Sequence, residues 1–276
     1  MRIALGIEYN GLSFCGWQRQ AQGYSVQDAV ENALGHIAGC PVGVHAAGRT
    51  DAGVHASAQV LHFDAPVMRP MTAWVRGVNS FLPDSVAVQW ARRVPNDFHA
   101  RFSAVSRSYR YVLLNHPVRP GLNSGRTGWY HGALDVQRMQ EAASLLLGEH
   151  DFSAFRDADC QARSPIRDMR YLVVRREGEQ ILFELTANAF LHHMVRNIVG
   201  TLLWVGRGKQ PAAWISGLLA GRDRTRAGPT AAAAGLHLCH VEYSAHWGLP
   251  ISGDPWRLAG LSVPGRDALS VRMTDE

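Results

Sequence analysis

The chain has 276 residues, 46% of them hydrophobic and 18% charged, which supports a sizeable buried core and excludes a disordered polyelectrolyte. Its apolar runs fall far short of the roughly 20 residues of a membrane-spanning helix, and an acid at Glu8 comes too early for a signal peptide, so a cytoplasmic location is expected. The net charge of +5 favours a polyanionic partner, nucleic acid above all; Lys209 is the only lysine, so where the arginines stand is more telling than how many there are.

The predicted elements run as follows. Ile3, Leu5, Ile7 and Tyr9 alternate with period two and give a first strand. After a glycine-bearing loop, Ser25 caps a helix whose stripe is Val26, Ala29, Val30, Ala33, Leu34 and Ile37, and Gly39 ends it. Residues 42–47 and 59–63 read as strands, 71–80 as a helix and 86–94 as a strand. The second half repeats the order: a strand at 105–114, then a helix capped by Asp135 with Val136, Met139, Ala143, Leu146 and Leu147 inward. A hairpin of 169–176 and 181–187 follows, then a helix at 191–205, a short helix at 212–220 and a last strand at 236–243.

Each half therefore reads β-α-β-β-α-β, the ferredoxin-like pattern, and the expected class is α+β: two such units with mainly antiparallel sheets flanking a basic cleft. The expected division is 1–104 for the unit carrying the first motif below, 105–247 for the second unit, and 248–276 for a loosely ordered Pro/Gly/Ser-rich tail.

Four cysteines (Cys15, Cys40, Cys160 and Cys239) lie far apart, too few for a disulfide scaffold and without metal-ligand spacing, so reduced thiols are expected. The histidines are scattered, and His192-His193, taken as helical residues, would point to different faces, which argues against joint ligation; no metal is expected.

Three stretches could carry chemistry. The octet Gly48-Arg49-Thr50-Asp51-Ala52-Gly53-Val54-His55 sets a carboxylate between an arginine and a glycine, between two predicted strands, where the backbone can turn sharply and approach a ligand. Its parts taken singly also make an Asx-type turn with a solvated arginine. In the second unit His192 and Arg196 stand four apart, either as a solvated polar face or as a face from which Arg196 reaches Asp51 and keeps it ionised. The run Arg107-Ser108-Tyr109-Arg110-Tyr111 interleaves cations and aromatics on a strand, as does Asp97-Phe98-His99-Ala100-Arg101-Phe102; both suit RNA phosphates and bases, and the tyrosines suit a packed core equally well.

These residues resemble the TruA family of tRNA pseudouridine synthases. The octet, Gly16-Trp17-Gln18, Phe98-His99-Ala100-Arg101-Phe102-Ser103, Tyr109-Arg110-Tyr111 and the stretch 188–200 match its motifs in order, and the likeness covers about residues 2–247. The resemblance implies an enzyme that isomerises uridine to pseudouridine in the anticodon stem-loop of tRNA (nucleotides 38–40 in standard tRNA numbering), with no cofactor and no metal, working as a homodimer. It implies that Asp51 is catalytic, that Arg49 fills the space left by a flipped base, that Tyr109 stacks on the uracil, that Arg196 positions Asp51 and that Leu236 walls the pocket. His99, Arg101, Arg107, Arg110 and His192 are the further RNA-binding candidates. A non-catalytic RNA-binding protein of the same fold is the alternative. A small-glycoside hydrolase is disfavoured, because neither motif supplies a second carboxylate.

Overall fold

The computed structural model describes residues 1–250 and Trp256. The first unit contributes β1 (Arg2–Tyr9), α1 (Val26–Ala38), β2 (His45–Ala46), β3 (His55–Asp64) and β4 (Val86–Arg93). The second contributes β5 (Ala104–Asn115), β6 (Gly128–Tyr130), α2 (Val136–Ser144), β7 (Gly148–Asp151), β8 (Ile166–Glu177), β9 (Gln180–Ala187), α3 (Met194–Gly206), α4 (Trp214–Gly221) and β10 (Leu236–Tyr243).

The strands form one sheet in the order β4-β1-β3-β10-β5-β9-β8-β7, with β2 on β3 and β6 on β5. Within it β4-β1-β3-β2 and β10-β5-β9-β8 are two copies of the ferredoxin-like order, so the α+β, mainly antiparallel class holds. The element order did not foretell how they join. One edge of β3 is shared: β2 pairs with its far end (His45 with His62, Ala46 with Leu61), whereas β10 runs parallel to its start (His237 with His55, Leu238 with Ala56). The octet therefore ends on the seam between the two units.

Local sequence explains the elements that hold the site. Ser25 and Asp28 form a reciprocal capping box on α1: the Asp28 N–H donates to Ser25 Oγ (3.1 Å) and the Ser25 N–H to Asp28 Oδ2 (3.1 Å). Gly39 closes the helix in the left-handed region (φ +75°). Strand β5 is central and covered on both faces, so every residue from Ser106 to Leu113 is buried.

Several predicted boundaries move. The strand expected at 42–47 is confined to His45–Ala46, and that at 59–63 extends to His55–Asp64. The helix at 71–80 contains a wider π-turn, Ala73–Gly77. Leu147 is 40% exposed rather than inward, because α2 stops at Ser144 and Leu147 lies in the turn beyond it. The helix expected from 191 begins at Met194, because His193 takes a left-handed conformation (φ 59°) as its N-cap. Strands β6 and β7 are short and carry no alternation that would have revealed them. Of the expected tail, all but residues 248–250 and Trp256 lies outside the described residues. Trp256 is buried, with its ring 5.7 Å from the Arg110 guanidinium.

Candidate active site

The octet is a short loop held by its backbone. The Trp17 N–H donates to the Thr50 carbonyl (2.9 Å), Gln59 Nε2 to the Gly48 carbonyl (2.8 Å) and the Val54 N–H to the Asp51 carbonyl (3.1 Å). The Thr50 hydroxyl lies 2.8 Å from the Tyr9 hydroxyl, both buried. Two glycines make this packing possible. Gly53 has φ +76°, and Gly16 has φ +106° with no room for a side chain, since a Cβ there would sit 2.8 Å from the Thr50 carbonyl oxygen. At the seam, His55 accepts from the Gly11 N–H at Nδ1 (3.1 Å) and sets Nε2 2.8 Å from the Gly125 carbonyl; burial holds its pKa below the usual value, so the ring is neutral, with its proton on Nε2.

Asp51 stands at the top of this loop with 18% of its side chain exposed. Arg196, 145 residues later on α3, donates from Nη1 to Asp51 Oδ2 at 2.8 Å. Its Nε donates to the Ala231 carbonyl (2.8 Å), and the Ala231 N–H returns a bond to the Arg196 carbonyl (3.1 Å). The guanidinium is thus aimed by the backbone before it meets the carboxylate.

Two further residues complete the environment. His192 Nε2 lies 3.4 Å from Asp51 Oδ1, and His193 Nε2 3.3 Å from Asp51 Oδ2. The two rings stack with centroids 4.0 Å apart. Behind them stands Asp157, 2.7 Å from His193 Nδ1 and 3.6 Å from His192 Nδ1. Burial pushes the Asp157 carboxyl up, but the Asp159 N–H and the His193 ring outweigh it and leave the group below its ordinary value. The expectation that the histidines diverge is corrected: both precede the first residue of α3, and the left-handed turn at His193 brings both rings to Asp51.

Tyr109 and Leu236 are buried near the loop. The Tyr109 ring packs edge-on against Phe190 (5.0 Å), and a Cβ on Gly48 would lie 3.9 Å from its hydroxyl; burial raises its pKa. Leu236 opens β10 opposite Tyr111. Arg49 is exposed and makes no hydrogen bond or ion pair with the described residues. His192 is 40% exposed; Arg101 is exposed, its guanidinium 5.7 Å from the Phe102 ring; His99 is half-buried and accepts the Arg101 N–H at Nδ1 (3.1 Å).

Two of the expected RNA-contacting residues are corrected. Arg107 faces the octet but is buried, with its guanidinium spent on four carbonyls, those of Ala47, Arg101, Ala104 and Asn188. It ties the loop's approach to the second unit and has no face left for a phosphate. Arg110 is one residue from Tyr109 and so lies on the opposite face, 2% exposed and paired with Glu184 at 2.5 Å. Sequence reasoning missed Asp157, Thr50, Tyr9 and Gln59. His193 carried a signal in the doubled histidine before Arg196, whereas Asp157 lies in a loop with no periodicity.

The family model for tRNA pseudouridine synthases matches residues 6–103 and 142–244. A protein of Thiobacillus denitrificans named tRNA pseudouridine synthase A is 59% identical over 259 residues, 94% of this chain and 100% of its own length. Its namesake from Dechloromonas aromatica is 61% identical over 254 residues, 92% of this chain and 97% of the relative. A third, from Chromobacterium violaceum, is 58% identical over 259 residues, 94% of this chain and 99% of the relative.

Proposed function

Because the chain belongs to the tRNA pseudouridine synthase family, we propose that it isomerises uridine to pseudouridine in tRNA with Asp51 as its nucleophile. The reaction breaks the bond from uracil N1 to ribose C1′ and forms one from C5 to C1′; N1 gains a proton and C5 loses one. Substrate and product are isomers, so no electrons are exchanged and no group is left over. What the protein must supply is a base swung out of its stack, an ionised carboxylate against the nucleoside, and a means to hold the freed uracil while it turns.

The observation that carries the reading is the Asp51–Arg196 pair, set on a rigid loop at the seam of the two units. The guanidinium fixes the direction of the carboxylate, and the partial exposure leaves that carboxylate within reach of a nucleoside. Arg49, exposed two residues away, is the group we assign to the vacated base position, Tyr109 to the face of the uracil and Leu236 to its apolar wall. Flipping costs a few kcal/mol, which contacts to the RNA backbone must offset. Exposed Arg101 and His192 are the surface candidates for those contacts.

We extend the reading to uridines 38–40 of the anticodon stem-loop, to a homodimer in which each tRNA touches both subunits, and to the cytoplasm as the place where the substrate resides. Family resemblance supports the first two. No helix among the described residues is long and apolar enough to cross a membrane.

The test is Asp51→Asn, which keeps shape and removes the charge. Loss of pseudouridine formation with tRNA binding retained supports the assignment. Unchanged turnover overturns it. Mass spectrometry of tRNA from cells lacking the protein locates the uridines left unmodified, and unmodified uridines outside 38–40 would overturn the proposed target.

A further inference from the structure

We propose that Asp51, His192 and His193 form a binding site for a divalent transition-metal ion of the zinc type, and that the ion blocks the enzyme by occupying the carboxylate. The blocking half rests on Asp51 being the nucleophile; the binding half does not.

The donor set is the first argument. Two imidazoles and a carboxylate are the ligands of many zinc sites, at about 2.0–2.2 Å from the metal. Four-coordinate geometry at that radius sets ligand atoms roughly 3.3–3.5 Å apart. His192 Nε2 stands 3.4 Å from Asp51 Oδ1 and His193 Nε2 3.3 Å from Asp51 Oδ2, so each imidazole approaches a different oxygen and the carboxylate would take the ion between them. One ligand atom from each of the three residues falls within 4.8 Å of the others. A fourth position is left for water or substrate.

The outer partners are the second argument. Metal-bound imidazoles use their other nitrogen on a carboxylate or carbonyl, which fixes the ring and turns the ligating nitrogen inward. Asp157 does this for His193, with Oδ2 2.7 Å from Nδ1; its Oδ1 lies 3.6 Å from His192 Nδ1, near that ring but beyond hydrogen-bond distance. Ligating carboxylates are themselves hydrogen-bonded, and Arg196 Nη1 fills that place on Asp51. The left-handed His193 costs backbone energy in a non-glycine residue, and its effect is to bring both Nε2 atoms to one carboxylate. His192 is 40% exposed, which opens a path from solvent.

The charges set the character of the site. The two carboxylates of Asp51 and Asp157 stand against the one guanidinium of Arg196, which touches Asp51 directly, so a divalent ion leaves the cluster with a net positive charge. Arg196 therefore weakens binding, and the ion is a reversible inhibitor rather than a resident group. A tRNA that engages Asp51 should exclude it.

The test uses the full-length protein titrated with Co²⁺ at neutral pH, read by its visible ligand-field absorption, with Zn²⁺ then added to displace it. Saturable, reversible binding of a single ion with the intense bands of four-coordination is expected. His192→Ala and His193→Ala should each weaken binding by about tenfold or more, and Asp157→Asn by roughly ten- to a hundredfold through the lost outer partner. His192 is exposed enough that its loss leaves the fold intact, which far-UV circular dichroism checks. Absence of the bands, or bands unchanged in both histidine variants, overturns the site. In the tRNA assay Zn²⁺ should inhibit, chelator should restore activity, and excess tRNA should protect. Ion binding with undiminished turnover would refute the blocking step and count against Asp51 as nucleophile, while leaving the metal site standing.

Discussion

Arg196→Lys probes the central contact with the charge held constant. The guanidinium donates in two directions at once, from Nε to the Ala231 carbonyl and from Nη1 to Asp51, each at 2.8 Å. A single ammonium on a flexible stem reaches one of these acceptors in good geometry and loses the other. A hydrogen bond to a charged group contributes about 1.5–3 kcal/mol, which corresponds to a roughly ten- to hundredfold fall in kcat if the lost bond is the one that aims Asp51. Arg196→Met removes both bonds, so its kcat should fall further still. Both residues lie at the seam with 16% and 18% of their side chains exposed, so global stability should change little. The assay is release of tritium from tRNA labelled at uracil C5, since that hydrogen must leave, measured in single turnover beside tRNA affinity. A Lys variant within about twofold of wild type, or Lys and Met variants equally impaired, would refute the two-acceptor argument.

Tyr109→Ala should lower turnover more than Tyr109→Phe if the ring face does the stacking; equal losses would assign the role to the hydroxyl. Arg107→Met removes four hydrogen bonds, one buried (to the Ala47 carbonyl) and three part-buried, and should cost about 3 kcal/mol in urea unfolding at unchanged slope, whereas a cost under about 1 kcal/mol would show that the guanidinium is dispensable to the fold. Burial holds His237 at about 3 and His62 at about 4, below the 6.5 of a free imidazole, so the unfolded chain takes up protons that the folded chain refuses. Stability should therefore be full above pH 6.5 and fall as pH drops toward 4, by up to about 1.4 kcal/mol per pH unit for each ring; a flat profile across that window would contradict it. Binding of tRNA should weaken with salt at a log–log slope of roughly −0.7 to −0.9 per phosphate neutralised, and a flat response would exclude a phosphate-tracking surface.

Much of the fold was legible because it is written in local signals. The alternation of β1, the Ser25–Asp28 box and Gly39 around α1, and the hairpin of β8 and β9 each need only a short window of sequence. What escaped depends on partners far along the chain. The seam is made by His55 and Ala56 against His237 and Leu238, residues 182 apart in each pair, and no periodicity announces it. Arg107 and Arg110 were misread for a related reason: β5 is covered on both faces, so its polar residues point into the protein and had to find carbonyls and Glu184 there. The octet and Arg196 were legible as residues, and their meeting required the fold.

The histidine pair shows why the remainder of the site was hidden. Sequence spacing predicts direction only inside a regular element, and His193 breaks the helix one residue before it starts. That break is locally unfavourable, since a β-carbon in the left-handed region costs roughly 1–2 kcal/mol. The Asp51–Arg196 pair does little to offset it, because a partly exposed ion pair contributes on the order of 1 kcal/mol or less. Stability therefore explains neither feature well, yet both converge on one carboxylate oxygen, Asp51 Oδ2, from the start of α3 across the seam. Local costs concentrated on one reactive atom are what selection for chemistry leaves behind where selection for folding would have removed them.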